Sequence, residues 1–228
     1  MEIYDSGKII EFENALLYDE GFYGEVYKDG DLMIKKYMSE RSDYYDRLSP
    51  AMFDILSSIS SPAFINLIDS FKTKVRLFPD DYDIDMLTGY TSEFIATRKG
   101  AMVDLPMEYT LNTLYEFRKL LKILNDNNIL IADTNRNNSI VGFDNLVIID
   151  PDSYEFNEIS CEIEKENMES INRYLLSKWV AEMPITDKAV FEKISKELFD
   201  YEEGDYLDVM SKRLRGKTPR DVINRIRY

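Results

Sequence analysis

Hydrophobic and polar positions follow two different rhythms along the chain. Up to about residue 96 apolar side chains come in short alternating runs, the period of half-buried strands. Lys8 to Leu17 alternates loosely, while Gly24–Lys28 and Leu32–Tyr37 flank Asp29-Gly30, a strong two-residue hairpin signal. Ser49-Pro50 opens a helix reaching about Ile59, with the serine as cap and the proline at the first helical position, and Pro62 stops it. Strands near Phe71–Phe78 and Tyr90–Ala96 bracket Pro79-Asp80-Asp81-Tyr82-Asp83, which reads as a solvated loop. From Thr110 the rhythm changes, since Leu111, Leu114, Phe117, Leu121 and Leu124 recur at helical spacing up to Asn127-Asn128. Two short strands, Ser139–Gly142 and Leu146–Ile149, then precede helices over Glu166–Glu182, Lys188–Phe199 and Pro219–Arg227. The last has Thr218 as cap, Pro219 first and Asp221 third.

A β-rich first part followed by an α-rich second part predicts an α+β protein in two segregated layers. The change-over falls near Ile95–Gly100, giving residues 1–96 and 97–228 as two lobes of a single domain. At 228 residues and 44% hydrophobic the chain can build such a core. Neither a membrane-length apolar run nor a basic, apolar leader is present, so the expected location is cytoplasmic and no membrane partner is expected. A lone cysteine, Cys161, excludes an intrachain disulfide.

The absence of histidine excludes more chemistry than any residue present. Ser-His-Asp triads, Cys-His pairs and HExxH zinc sites are all ruled out, leaving carboxylates, lysines, hydroxyls or a metal. The net charge of −15 is unevenly spread. Residues 212–228 hold seven basic side chains against Asp221 alone, so the remainder stands at −21. That balance argues against nucleic acid as a partner, because phosphate neutralisation supplies most non-specific affinity. The tail reads as a helix end lying on an acidic body or as a contact for an anionic partner.

Three groups of residues carry candidate chemistry. Asp19-Glu20-Gly21-Phe22-Tyr23-Gly24-Glu25-Val26 resembles the glycine-rich loop of protein kinases, with Asp19 at the first glycine's position. Glycines let a backbone pass close over phosphates, although a bulge or tight turn explains Gly21 and Gly24 equally well. If Asp29-Gly30 is the hairpin turn, Lys28 pairs with Asp31, Val26 with Met33 and Gly24 with Lys35. Lys35 then shares a face with Val26 and the glycine loop, and Lys36 faces away. The third group, Asp133-Thr134-Asn135-Arg136-Asn137-Asn138 followed by Leu146-Val147-Ile148-Ile149-Asp150-Pro151-Asp152, is similar to the kinase catalytic loop D-x-x-x-x-N and its metal-binding aspartate. Turn formation accounts for the asparagines. It does not account for Asp150 directly after a buried strand, where a carboxylate needs a partner or a metal.

The resemblance to the protein-kinase-like superfamily covers about residues 15–155 and implies a bilobal fold with a β-rich N-lobe and a reduced α-helical C-lobe. It implies ATP and Mg2+ as cofactors, held by Gly21, Gly24, Val26, Met33 and Lys35, with backbone groups of Glu93 and Ile95 on the adenine. Asn138 and Asp150 would ligate magnesium, a hard ion that takes oxygen ligands, and Asp152 offers a second oxygen. Asp133 would orient a substrate hydroxyl or accept its proton while Lys35 offsets phosphate charge. The implied reaction moves the γ-phosphate of Mg-ATP to a hydroxyl, on protein Ser/Thr in the favoured reading and on a small molecule such as an antibiotic or sugar in the alternative.

Several positions depart from the family pattern. Ile131-Ala132 stands where His-Arg is common, no A-P-E segment is recognisable, and Met52 falls where a helix glutamate would pair with Lys35. Glu40, Asp43, Asp46 and Asp54 are the nearby substitutes. A pseudokinase, acting as a nucleotide-binding or interaction module, therefore remains the second reading, and an unrelated α+β protein the third.

Overall fold

The computed structural model describes residues 1–21, 24–38, 47–76, 82–132, 136–152, 154–157, 163–181 and 218–227, with isolated positions between 183 and 212. The protein is mixed α+β and divides into two compact units. One comprises Met1–Ser60, Phe64–Ile95 and Asp150–Phe156; the other comprises Ser61–Ala63, Ala96–Ile149 and Asn157–Tyr228. The short segments 61–63 and 150–156 thus belong to the unit opposite the one that a simple cut near residue 96 assigns them.

In the first unit, β1 (Glu2–Asp5) and β2 (Lys8–Glu11) form a hairpin turned by Ser6 and Gly7, whose φ angles of 48° and 90° are both positive. The loosely alternating stretch Lys8–Leu17 holds β2 and the start of a separate β3 (Leu16–Glu20). β3 joins β4 (Gly24–Asp29), β5 (Leu32–Tyr37), β6 (Leu67–Val75) and β7 (Ile84–Glu93) in a five-stranded antiparallel sheet of order β3-β4-β5-β7-β6.

The β4–β5 register differs by one step from the expected one. Asp29 pairs with Leu32, Lys28 with Met33, Val26 with Lys35 and Gly24 with Tyr37, so the turn is Gly30-Asp31. Glycine at the first central position, with φ 59°, is what a type II′ turn requires, whereas Asp29-Gly30 would have needed positive φ at an aspartate as well. The faces are unaffected, because the pairing moves by two residues in total and side chains alternate with period two. Lys35 still shares its face with Val26 and Gly24.

Helix α1 (Pro50–Leu56) starts as expected, with Ser49 Oγ accepting the Met52 N–H at 3.1 Å. It stops short of Ile59. The hydroxyls of Ser57 and Ser58 donate to the carbonyls of Asp54 and Ile55, a local alternative to continuing the helical ladder. Met52, Phe53 and Leu56 are buried, and the Phe53 ring lies 6.2 Å from that of Tyr90 on β7.

The second unit is built on α2 (Met107–Asp126), whose buried stripe includes Leu114, Phe117, Leu121 and Leu124. Asn127 caps it, and Asn128, with φ 54°, takes the left-handed conformation that commonly ends a helix. After β8 (Ile129–Leu130), a tight hairpin of β9 (Ser139–Val141) and β10 (Leu146–Ile148) is tied to α2. Thr113 Oγ1 accepts the Leu146 N–H at 3.1 Å, and the Tyr109 hydroxyl donates to the Gly142 carbonyl at 3.1 Å. β11 (Glu155–Phe156) belongs to the first unit.

Helix α3 (Ile163–Ala181) buries Ile171, Tyr174, Leu175 and Trp179. Helix α4 (Pro219–Arg227) carries the expected capping box: Thr218 Oγ1 accepts the Asp221 N–H, and the Asp221 carboxylate accepts the Thr218 N–H at 3.0 Å. Most of the helix expected over Lys188–Phe199 lies outside the described residues. Among the described residues no helix is long and apolar enough to cross a membrane.

Gly89 on β7 positions the strand that bears Lys35. A Cβ there would overlap the Lys35 carbonyl oxygen and Cδ1 of buried Ile3, which fills the space the glycine leaves. Gly89→Ala is therefore expected to lower stability by about 1–3 kcal/mol through overpacking. A urea midpoint equal to wild type would contradict it.

Candidate functional site

Strand pairing sets the site up. Val26, Lys35 and Tyr90 are direct cross-strand partners on β4, β5 and β7, and Tyr37 lies two residues beyond Lys35, so all four side chains stand on one face of the sheet. Against that face comes the segment after β10. The Lys35 ammonium donates to Asp150 Oδ1 at 2.9 Å and lies 2.5 Å from Asp152 Oδ2. The second contact is close but not aligned as a hydrogen bond, leaving Oδ2 held by charge. On the other oxygen, Asp152 Oδ1 accepts the Tyr37 hydroxyl at 2.7 Å and the Tyr90 hydroxyl at 3.5 Å. The Asp152 N–H reaches Asp150 Oδ1 at 3.4 Å.

The electrostatics follow from burial. The Lys35 and Asp152 side chains are 14% and 11% exposed, that of Asp150 35%. Burial alone would lower the Lys35 pKa, but the carboxylates of Asp152 and Asp150 reverse this and hold it above the ordinary lysine value. Burial pushes Asp152 up to about 6, against the pull of Lys35 and the Tyr37 hydroxyl and helped by the nearby charge of Asp150. Burial likewise raises Tyr37 and Tyr90, reinforced by Asp152, so both remain neutral donors.

Met52 is buried in α1 and offers Lys35 no carboxylate, and Asp54 is exposed and turned to Lys72 at 3.9 Å. Glu40, Asp43 and Asp46 lie outside the described residues. Asp150 and Asp152 take the role sought for a helix carboxylate. Sequence reasoning gave Asp152 only as a metal oxygen and missed Tyr37 and Tyr90. The two-residue step from Lys35 to Tyr37 was the available signal.

The remaining predicted residues are spread over both units. Gly24 has a structural reason to be glycine, since a Cβ would stand 2.7 Å from the Lys36 carbonyl oxygen. Gly21 does not: its N–H donates to the Gly24 carbonyl at 2.8 Å, and the nearest atom to a Cβ would be 3.6 Å away. Met33 pairs with Ser92 and Leu32 with Glu93, whose N–H donates to the Asn66 carbonyl at 3.1 Å. Ile95 follows β7 and is half-buried. Asn138 ends a 3-10 turn (Arg136–Asn138) in the second unit, where its carbonyl accepts the Ile149 N–H at 3.0 Å. Asp133 lies outside the described residues. No sequence model of a known protein family matches the chain, and no curated protein does.

The donor set suits a hard cation. Among the described residues no group of three or more Asp, Glu, Cys or His side chains is gathered to hold a metal. Magnesium carried by phosphates needs only one or two protein carboxylates, however, and Asp150 Oδ2 has no partner among the described residues while Oδ1 takes both bonds.

Asp152 makes a pH signature. Its folded value lies above the ordinary 3.8, so the folded state holds the extra proton between about 4 and 6. The associated stability is complete below that window and is lost as pH rises through about 6. A shift of this size is on the order of 3 kcal/mol. The stability difference between wild type and Asp152→Asn is expected to shift against wild type from pH 4 to 6.5 and then level off. Parallel urea-midpoint profiles would refute this.

Proposed function

We propose that the protein is an ATP-dependent phosphotransferase of protein-kinase-like, bilobal fold that moves the γ-phosphate of Mg-ATP to a hydroxyl, on protein Ser/Thr in the favoured reading. The observation that carries this is the pairing of Lys35, on a central strand, with Asp150, which lies 115 residues later in the chain, at 2.9 Å. Two separate sequence motifs point to those positions as parts of one phosphate and metal centre.

Each residue has a role in this reading. Lys35 stays cationic across the physiological range, as a phosphate partner must. Gly21 keeps a bare backbone where its own packing does not demand one, leaving room for phosphate oxygens. Asp150 and Asn138 would hold magnesium, with Asp152 nearby as a second carboxylate. Bound there, the ion would offset negative charge on the transferring phosphoryl group. Asp133 would orient the acceptor hydroxyl or take its proton. The pairing of Lys35 by Asp150 and Asp152 means that the carboxylate missing at Met52 does not leave the lysine unoriented.

The test is magnesium-dependent nucleotide binding and ATP turnover by wild type, Lys35→Met, Asp133→Ala and Asp150→Ala. Turnover is expected to fall in Asp133→Ala by on the order of 10²–10⁴-fold, the usual worth of a positioned base, with binding retained. Asp150→Ala is expected to lose both turnover and the magnesium dependence of binding. Tight binding without turnover, across protein and small-molecule hydroxyl acceptors, would make the protein a pseudokinase. No nucleotide binding at all would end both readings.

A further inference from the structure

Tyr37 enters the Lys35 cluster through a hydrogen-bond chain with a fixed direction. Its hydroxyl oxygen accepts the Leu48 N–H at 3.2 Å, and its proton goes to Asp152 Oδ1 at 2.7 Å. Leu48 is buried and directly precedes Ser49, the cap of α1, so its amide needs a protein acceptor. A phenol has a single proton to donate. With a backbone N–H on its oxygen, that proton is committed to the carboxylate. One hydroxyl thus ties the entry of α1 to the segment after β10, both within the first unit.

The two carboxylates of that segment are engaged differently. Asp152 is held on both oxygens: Oδ1 takes the Tyr37 hydroxyl and, at 3.5 Å, the Tyr90 hydroxyl, while buried Oδ2 faces the Lys35 ammonium at 2.5 Å. Asp150 uses Oδ1 alone, for the Lys35 ammonium at 2.9 Å and the Asp152 N–H at 3.4 Å. Its side chain is also the more exposed of the two. A magnesium ion carried by phosphates keeps several waters and takes one or two protein carboxylates, which favours an oxygen near the surface and without a protein partner. Asp150 Oδ2 meets that condition among the described residues. For Asp152 to meet it, a buried charge pair or a charge-assisted hydrogen bond has to be given up.

We infer that Tyr37 is a positioning residue: its hydroxyl holds Asp152 against the sheet as the anchor of the segment, so that Asp150 alone of the two carboxylates is presented to a divalent cation. The cation rests on the phosphotransferase reading; the anchoring does not.

The test compares wild type with Tyr37→Phe and Tyr90→Phe, each of which loses a hydroxyl and keeps its ring, and with Asp152→Ala alone and combined with Tyr37→Phe. Two quantities are read: amide hydrogen exchange, and the magnesium dependence of turnover at saturating ATP. The Tyr154 N–H, which donates to the Pro151 carbonyl at 3.0 Å, reports on the segment, and the Leu48 N–H on the other end of the chain. Tyr37→Phe is expected to quicken exchange at both amides about tenfold, the usual worth of one hydrogen bond. The half-saturating magnesium concentration is expected to rise about 10–100-fold, as for other groups that orient a metal ligand, and kcat at saturating magnesium to change less. Tyr90→Phe, which gives up only the longer bond, should shift both quantities by less. In the Asp152→Ala background, Tyr37→Phe should add little to Tyr154 exchange or to the magnesium requirement.

Wild-type exchange at Tyr154 in Tyr37→Phe overturns the anchoring. Exchange quickened along the whole sheet makes Tyr37 a general stability residue and overturns it too. A Tyr37→Phe effect equally large without Asp152 shows that the hydroxyl does not act through that carboxylate. Should Asp152→Ala not fold, the two tyrosine variants decide, and equal shifts in them overturn the assignment to Tyr37. Wild-type magnesium dependence beside quickened exchange overturns the presentation of Asp150. If wild type shows no turnover, the phosphotransferase reading and the cation fall together, and exchange still decides the anchoring.

Discussion

One ammonium shared by two carboxylates organises the first unit. Lys35 extends from the middle of an antiparallel sheet and is only 14% exposed, a position where a lone charge is costly. Asp150 and Asp152 make that position tenable. In return, the lysine and the hydroxyls of Tyr37 and Tyr90 hold the Asp150–Phe156 segment within a unit whose other parts end at residue 95. Removing one partner of such a cluster typically costs about 3–5 kcal/mol, because the charge left behind is uncompensated. The cluster is thus both a structural clasp and a concentration of chemistry.

Its charge does not balance. One cation faces two carboxylates, and burial, helped by the nearby charge of Asp150, pushes Asp152 up to about 6. With both carboxylates ionised the cluster carries one excess negative charge, beside an Asp150 Oδ2 that has no partner among the described residues. A divalent cation would relieve that excess, and so would a proton. The competition between them gives the pH profile a bearing on the proposed function: metal bound at the carboxylates would bring Asp152 back toward its ordinary value.

Much of the framework was legible because it rests on local rules. Ser49-Pro50 and Thr218-Pro219-x-Asp221 are helix starts by their own hydrogen bonds, and both formed as read. The face of Lys35 was legible even though the hairpin register was not, since a slip preserving the period of two leaves every side chain on its side. The features that escaped are long-range or rest on one conformational detail. The two-residue step from Lys35 puts Tyr37 on the same face, but nothing in residues 30–40 announces that it will meet an aspartate 115 positions away. The N-terminal hairpin turns on positive φ at Ser6 as well as Gly7, unusual for a serine. Met52 showed that a helix carboxylate was missing; only three-dimensional pairing showed what stands in its place.

On the phosphotransferase proposal, that replacement would change how the lysine is controlled. Where a helix supplies the partner, moving the helix switches the lysine. Here α1 offers Lys35 no carboxylate, and its buried face is apolar: Met52, Phe53 and Leu56. The lysine is oriented instead by Asp150 and Asp152, on the same short segment that the proposal has binding the metal. An incoming phosphate oxygen would compete with Asp150 for the ammonium as one anionic acceptor against another, so the exchange is close to balanced and requires no displacement of α1. Asp152 can stay in place meanwhile, because Tyr37 holds its other oxygen at 2.7 Å. The physical consequence is a lysine whose orientation depends on the Asp150–Asp152 segment rather than on the register of a helix.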